Sequence, residues 1–256
     1  GAAIEAGVVA GRPRRITVVR FVDQMAEQDA LAAGRFPYAR AVVVVAPAQS
    51  VTDLFAADGV GVLVAGAARV DAARMAAAVA GTRARHVVLL PNDIGLTAIA
   101  DEAAEMARAA GQEAVVVPTS SVLQGLAALA VHDPGRRAGD DVVAMAEAAA
   151  ATRTGVVQVA ATEALTWVGR CQAGDVLGLV DGEVVLIEQD LATGAQLLVE
   201  RMLYAGGELV TVLLGEEAPV GLGDLLERYL LHAHPEVDVL VYRGGSSGEP
   251  VALGVE

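Results

Sequence analysis

The segment His86–Ala107 reads HVVLLPNDIGLTAIADEAAEMA. It opens with a short apolar run, breaks at Pro91-Asn92-Asp93-Ile94-Gly95, and continues as a long alanine-rich segment with its apolar residues at helical spacing. A brief apolar run closed by turn residues is the mark of a buried strand, and the segment after it is the mark of an amphipathic helix. The junction has two readings: a ligand-binding loop at the end of a strand, or a turn that caps a helix.

Outward from this segment the same pattern recurs. AVVVVAPAQSVTDLFAADG (41–59) and VGVLVAGAARVDAARMAAAVAG (60–81) precede it, and EAVVVPTSSVLQGLAALAVHD (113–133) follows. Each is an apolar run, a polar turn and a predicted helix, with Asp71 as a first-turn acid in the second. Strands that alternate with helices in this way predict βαβ units and a mostly parallel sheet, buried on both faces. Right-handed crossovers then bring all four strand-to-helix junctions to one carboxyl edge, the usual ligand edge of open α/β sheets.

Beyond Asp133-Pro134 the pattern changes. DPGRRAGDD is a turn-rich joint, followed by a predicted helix over 139–151 and strands at 154–160 and 164–171. Asp181-Gly182 between apolar runs predicts a hairpin. A helix (190–205), a strand (207–215), a helix (221–233), a strand (237–245) and a last strand near 251–255 complete an α+β half with a mixed sheet. The fold class is therefore α/β with two lobes: 37–133 parallel and 134–256 mixed. Residues 1–36 fit neither lobe. They read as a short helix, the strand RRITVVRF and a polar stretch, the tail of a preceding domain or an arm.

Composition narrows the function classes. The chain has 256 residues, 54% of them hydrophobic, but no apolar run reaches the roughly 18 residues of a membrane span. Basic residues follow the weakly apolar start instead of preceding it, the reverse of a signal peptide, which predicts a cytoplasmic location. The formal charge is -14 and no residue is lysine, so nucleic acid is not an expected partner. A single cysteine, Cys171, precludes an internal disulfide and a CxxC metal site. The phosphate-binding patterns GxxxxGK[ST] and GxGxxG after a strand, and the nucleophile elbow GxSxG, do not occur.

What remains for ligand chemistry is the set of junction loops. A helix N-terminus offers unpaired N–H donors and partial positive charge to an anion. Thr119, Ser120 and Ser121 add hydroxyls at one junction, and Asn92 and Asp93 an amide and a carboxylate at another. The same residue types are preferred N-caps, so each loop is also explained without a ligand. His232 and His234 sit at a helix end, where their side chains diverge, and His86, His132 and Trp167 read as structural. Arg243, before Gly244-Gly245-Ser246-Ser247-Gly248, reads as an anion contact or a solvated turn.

Six stretches taken in order carry a family resemblance: LLPNDIGLTAIADEAAEMA, VVVPTSSVLQGLAALAVHDP, TGVVQVA, AGDVLGLVDGEVV, GELVTVLLGE and VDVLVYRGG. From about residue 40 to 256 the chain resembles the C-terminal region of the dihydroxyacetone-kinase-like fusion proteins, the ATP-binding subunits of bacterial fatty acid kinase. That resemblance implies a two-lobed DegV-like (EDD) fold. It further implies ATP and magnesium sites in an N-terminal domain outside this chain, no cofactor within it, and no catalysis by it alone. The partner implied is a DegV-like fatty-acid-binding subunit whose acyl carboxylate the kinase phosphorylates. Lipid-binding relatives read SSGLSGTY at the third junction; PNDIGLTA stands here, with Thr97 near the family threonine and Asp93 opposed to an acyl carboxylate. VPTSSVLQGLAAL keeps the family pattern, including Gln124. Candidate ligand contacts are thus Asn92, Thr97, Thr119, Ser120, Gln124 and Arg243, with no metal and no catalytic residue expected. Two functions follow: a docking or dimerising module of a fatty acid kinase, or a binder of a fatty acid or small anion in the inter-lobe cleft. An unpaired RRITVVRF strand predicts a homodimer.

Overall fold

The structure, a computed structural model, describes residues 35–66, 69–245 and 249–256. The helix and strand expected within 1–34, including RRITVVRF, and the homodimer built on that strand lie outside the described residues.

The first sheet is parallel throughout, in the order β2 (Val60–Val64), β1 (Tyr38–Ala46), β3 (Ala84–Leu90), β4 (Glu113–Val116). The central strand β1 is buried on both faces, as its run of four valines requires. Val43 and Val45 pack with Met75 and Val79 of α1 (Ala72–Gly81) and with α2 (Thr97–Ala109). Helix α2 presents Ala100, Ala103, Ala104 and Ala107, one stripe of small residues at i, i+3, i+4 and i+7. Val42 and Val44 face the other way, onto Phe55, Leu123 of α3 (Val122–Ala130) and Met145 of α4 (Ala138–Ala151). Helix α4 thus packs on the parallel lobe although it follows the turn-rich joint at Asp133-Pro134. The change of packing partner comes after Ala151.

The second sheet is mixed and runs β11 (Asp238–Gly245), β10 (Leu209–Gly215), β12 (Val251–Val255), β5 (Arg153–Val159), β8 (Val176–Val180), β9 (Glu183–Glu188). Only β10 and β11 are parallel neighbours, and α6 (Leu222–Ala233) crosses between them. One face is covered by α5 (Leu191–Leu203) and α6 through Leu198, Leu226 and Leu230. The other meets the first lobe: Leu213 lies in the same core cluster as Phe55 and Leu123. The expected hairpin is present. Asp181 (φ 51°) and Gly182 (φ 80°) join β8 to β9 in the paired left-handed conformation that a two-residue turn needs.

Three expectations are corrected. The segment after β1 is a 3-10 helix, Gln49–Phe55, and not an α-helix. Thr52 Oγ1 donates back to the Gln49 carbonyl at 2.8 Å, which diverts the acceptor of a first α-turn. The run 164–171 is not one strand but a ribbon, β6 (Ala164–Thr166) and β7 (Gly169–Cys171). Thr166 Oγ1 accepts from Val168 N and donates to the Gly169 carbonyl, and Gly169 takes φ 141°. Trp167 at that turn is 91% exposed and is not a core residue.

Candidate functional site

Parallel pairing does bring the four junctions to one edge of the first sheet. There, facing the second lobe, lies a cleft of about 640 Å³. Its walls are mostly apolar, with Val45, Pro91 and Leu123 from one lobe and Val156, Leu179 and Leu213 from the other.

The Pro91–Asp93 turn is built from hydrogen bonds of its own. Asn92 adopts φ 55°, a conformation that asparagine tolerates better than most residues. Its backbone N–H donates to Thr119 Oγ1 at 2.9 Å, and its Nδ2 donates to the Val45 carbonyl at 3.1 Å. One residue therefore ties the ends of β1, β3 and β4 together. Asn92 Oδ1 is buried without a hydrogen-bond partner and fills the space where a side chain at Gly125 would stand. It faces α3 and not the cleft. Asp93 caps the next turn, Ile94–Leu96, by accepting from Gly95 N at 2.7 Å. Asp71 similarly caps α1, accepting from Arg74 N, and Ser121 caps α3, accepting from Gln124 N.

The other candidates are distributed differently from the expectation. Thr119 is 1% exposed, and its hydroxyl is engaged by Asn92. Gln124 Oε1 accepts from Ser120 N at 2.8 Å and from Ser120 Oγ at 2.9 Å, while its Nε2 donates to the Thr152 carbonyl at 3.3 Å. Thus Gln124 and Ser120 hold one another, and Gln124 also holds the end of α4. Thr97 begins α2 and does not line the cleft. Arg243 is exposed, donates to the Pro219 carbonyl at 3.4 Å and is also outside the lining. Of the six, only Asn92 and Ser120 reach the cleft wall.

The electrostatics of the cleft come from residues that sequence reading did not bring together. Asp93, Asp181 and Glu249 line it from three separate segments, and no arginine or histidine is among the described lining residues. Desolvation at the rim, and then the negative charge of Asp93, hold the Glu249 carboxyl above the usual range. Thr154 and Gln158, on one face of β5, add a hydroxyl and an amide. The hairpin signal at Asp181-Gly182 was visible locally, but nothing in the sequence places that turn opposite Pro91. Among the described residues no group of three His, Cys, Asp or Glu side chains could hold a metal ion, and no helix is long and apolar enough to cross a membrane.

Comparison with known proteins matches residues 41–256 to the FakA-like C-terminal family of fatty acid kinase. Protein YloV of Bacillus subtilis is 25% identical over 205 residues, which cover 79% of this chain and 36% of YloV. An uncharacterised protein of Staphylococcus haemolyticus is 24% identical over 207 residues, 80% of this chain and 37% of its own length. The chain thus spans little more than a third of these relatives. In structure it is similar to a DegV family protein of Corynebacterium glutamicum, with a TM-score of 0.61 and 18% identity over 85% of this chain and 96% of that one. A fatty-acid-binding DegV family protein of Thermus thermophilus gives 0.57 at 15% identity over 85% and 99%. The Streptococcus pneumoniae fatty acid kinase B3 protein, loaded with linoleic acid, gives 0.55 at 9% identity over the same shares. At these identities the likeness shows the fold, a two-lobed DegV-type architecture.

Proposed function

This chain belongs to the FakA-like C-terminal family of fatty acid kinase, and from that premise we propose that it is a non-catalytic docking module of such a kinase. In this reading it engages an acyl-carrying DegV-like protein, or a second copy of itself, while ATP and magnesium are held by another domain of the full-length protein. Its own compartment would be the cytoplasm.

The observation that carries the proposal is the charge of the cleft. A DegV-type module that holds a free fatty acid must place donors around a carboxylate. Here the cleft presents Asp93, Asp181 and Glu249, and the hydroxyls of Thr119 and Ser120 are engaged within the protein. A carboxylate beside three others is unfavourable by Coulomb repulsion alone. In this reading the fold is kept while the anion site is given up, which suits a surface-recognition role. A second reading, fatty acid in the cleft, is favoured by the cleft's volume and its apolar walls.

The two readings separate in one experiment. The purified chain is extracted with solvent and analysed by mass spectrometry, and its binding to the DegV-like fatty-acid-binding protein of the same cell is measured by calorimetry. Docking predicts saturable binding of that protein and no stoichiometric lipid in the extract. Stoichiometric co-purifying fatty acid would overturn it in favour of the second reading.

A further inference from the structure

A second cavity, of about 400 Å³, opens at the opposite, amino edge of the four-stranded sheet. Arg40 on β1, His86 on β3 and Glu113 on β4 are register partners, so their side chains form a row across one face. His132, beyond the end of α3, and Asp141, in the first turn of α4, also line this cavity. No common motif along the chain links these five residues; they are spread over a hundred positions.

Both carboxylates here are already satisfied. Asp141 is 1% exposed and lies 2.8 Å from His132 Nδ1; it also accepts from Asp133 N at 2.8 Å, with Arg40 Nη1 3.8 Å away. Glu113 accepts from Arg85 Nε at 3.1 Å and lies 3.1 Å from His86 Nδ1. Each imidazole thus turns Nδ1 to a carboxylate, which fixes the ring and supports a proton on that nitrogen. The Nε2 atoms of His86 and His132 have no hydrogen-bond partner among the described residues. Arg40 uses Nη1 on the Asp133 carbonyl at 3.0 Å, and its other guanidinium N–H groups are likewise without a described partner. What the cavity offers a visitor is therefore a guanidinium edge and two carboxylate-backed imidazoles. Val88, Val115 and Val142 supply apolar surface beside them.

We propose that this amino-edge cavity binds a small organic oxyanion, a carboxylate or phosphate head on a short apolar body, with Arg40 as the anchor. Arginine presents a planar fork suited to either head group, and with Nδ1 turned to its carboxylate each imidazole leaves Nε2 as an acceptor for a hydroxyl of the visitor, such as the O–H of a hydrogenphosphate. The volume exceeds that of a bare ion, and the valines accommodate the remainder. Such binding is independent of the docking role, because the cavity lies at the opposite edge of the sheet from the cleft.

The test uses the whole chain and ring-selective NMR of its four histidines, titrated separately with hexanoate, inorganic phosphate and hexylammonium. The expected result is saturable shifts of the His86 and His132 ring signals with hexanoate or phosphate, unchanged His232 and His234 signals, and no response to hexylammonium. The responding titrant identifies the head group. Arg40→Gln weakens the affinity at least tenfold, Arg40→Lys retains part of it, and His86→Gln, at the half-buried middle of the row, weakens it in a folded protein. Absence of saturable shifts, equal shifts at all four histidines, or unchanged affinity in both Arg40→Gln and His86→Gln overturns the proposal.

Discussion

At the scale of single residues, the Asn92–Gly125 contact shows how a helix cap and a ligand loop can share one sequence. Asn92 has an amide that could face a ligand, but its Oδ1 occupies the space a side chain at Gly125 would need. Gly125→Ala is therefore expected to destabilise the protein by about 1–3 kcal/mol through overpacking, read from urea denaturation. Asn92→Gly, which the φ of 55° permits, should make the double variant less unstable than the sum of the singles. Glu249 gives a second prediction. Its carboxyl is raised by desolvation and by Asp93, so its ionised form costs stability in the fold. That cost is absent below the ordinary glutamate value of 4.5 and complete above the folded value. Glu249→Gln should raise the thermal midpoint at pH 7 and leave it unchanged near pH 4. An equal gain at both values would contradict the electrostatic account.

At the scale of elements, α5 and α6 are joined by a polar clamp. Glu200 Oε1 accepts from Tyr229 Oη at 2.8 Å and lies 2.9 Å from His234 Nε2, while Glu236 stands 3.5 Å from His234 Nδ1. The hydrogen bond to Glu200 is the first cause that raises His234 above its ordinary 6.5, against partial desolvation. Desolvation pushes Glu200 up, but its hydrogen bonds to His234 and Tyr229 outweigh this and leave it below 4.5. The histidine contribution is thus full below pH 6.5 and is lost as pH rises through the raised value; the glutamate contribution is present above 4.5 and is lost on acidification. His234→Gln should lower the melting temperature more at about pH 6 than at about pH 9. The ribbon β6–β7 shows a different effect at this scale. Its apolar letters predicted a strand with a buried tryptophan, but Thr166 and Gly169 turn the chain back and leave Trp167 in solvent. Local turn chemistry overrode the apolar count.

At the scale of the molecule, the two lobes share a core and are also tied at the surface. Ser50 Oγ donates to the Gly244 carbonyl at 3.1 Å, and a side chain at Gly244 would run into the Ser50 carbonyl. Gly244 also adopts φ 134°, a region that disfavours side chains. Gly244→Ala should therefore loosen the lobe contact. In hydrogen exchange, amides of 49–55 should exchange faster while those of α5 and α6 keep their protection; uniform protection loss would instead indicate global destabilisation. The Arg243-Gly244-Gly245 stretch, read from sequence as an anion contact or a solvated turn, acts at Gly244 as a close-approach point between lobes.

The order of residues along the chain was enough for the parallel first sheet, the hairpin at Asp181-Gly182, the later helices and cap-type residues at the Asn92-Asp93 and Thr119–Ser121 junctions, whereas Asp71, read as a first-turn acid, stands one place earlier as the N-cap of α1. Each depends on neighbours within a turn or a strand, where periodicity and side-chain chemistry act directly. Family resemblance extended this to the two-lobed architecture. What the lobes put opposite each other became visible only in three dimensions. Asp93, Asp181 and Glu249 share a cleft, and Arg40, His86 and Asp141 share the opposite edge, because strand register and lobe packing set those distances. No local signal along the chain encodes the sum of charges that such a meeting produces.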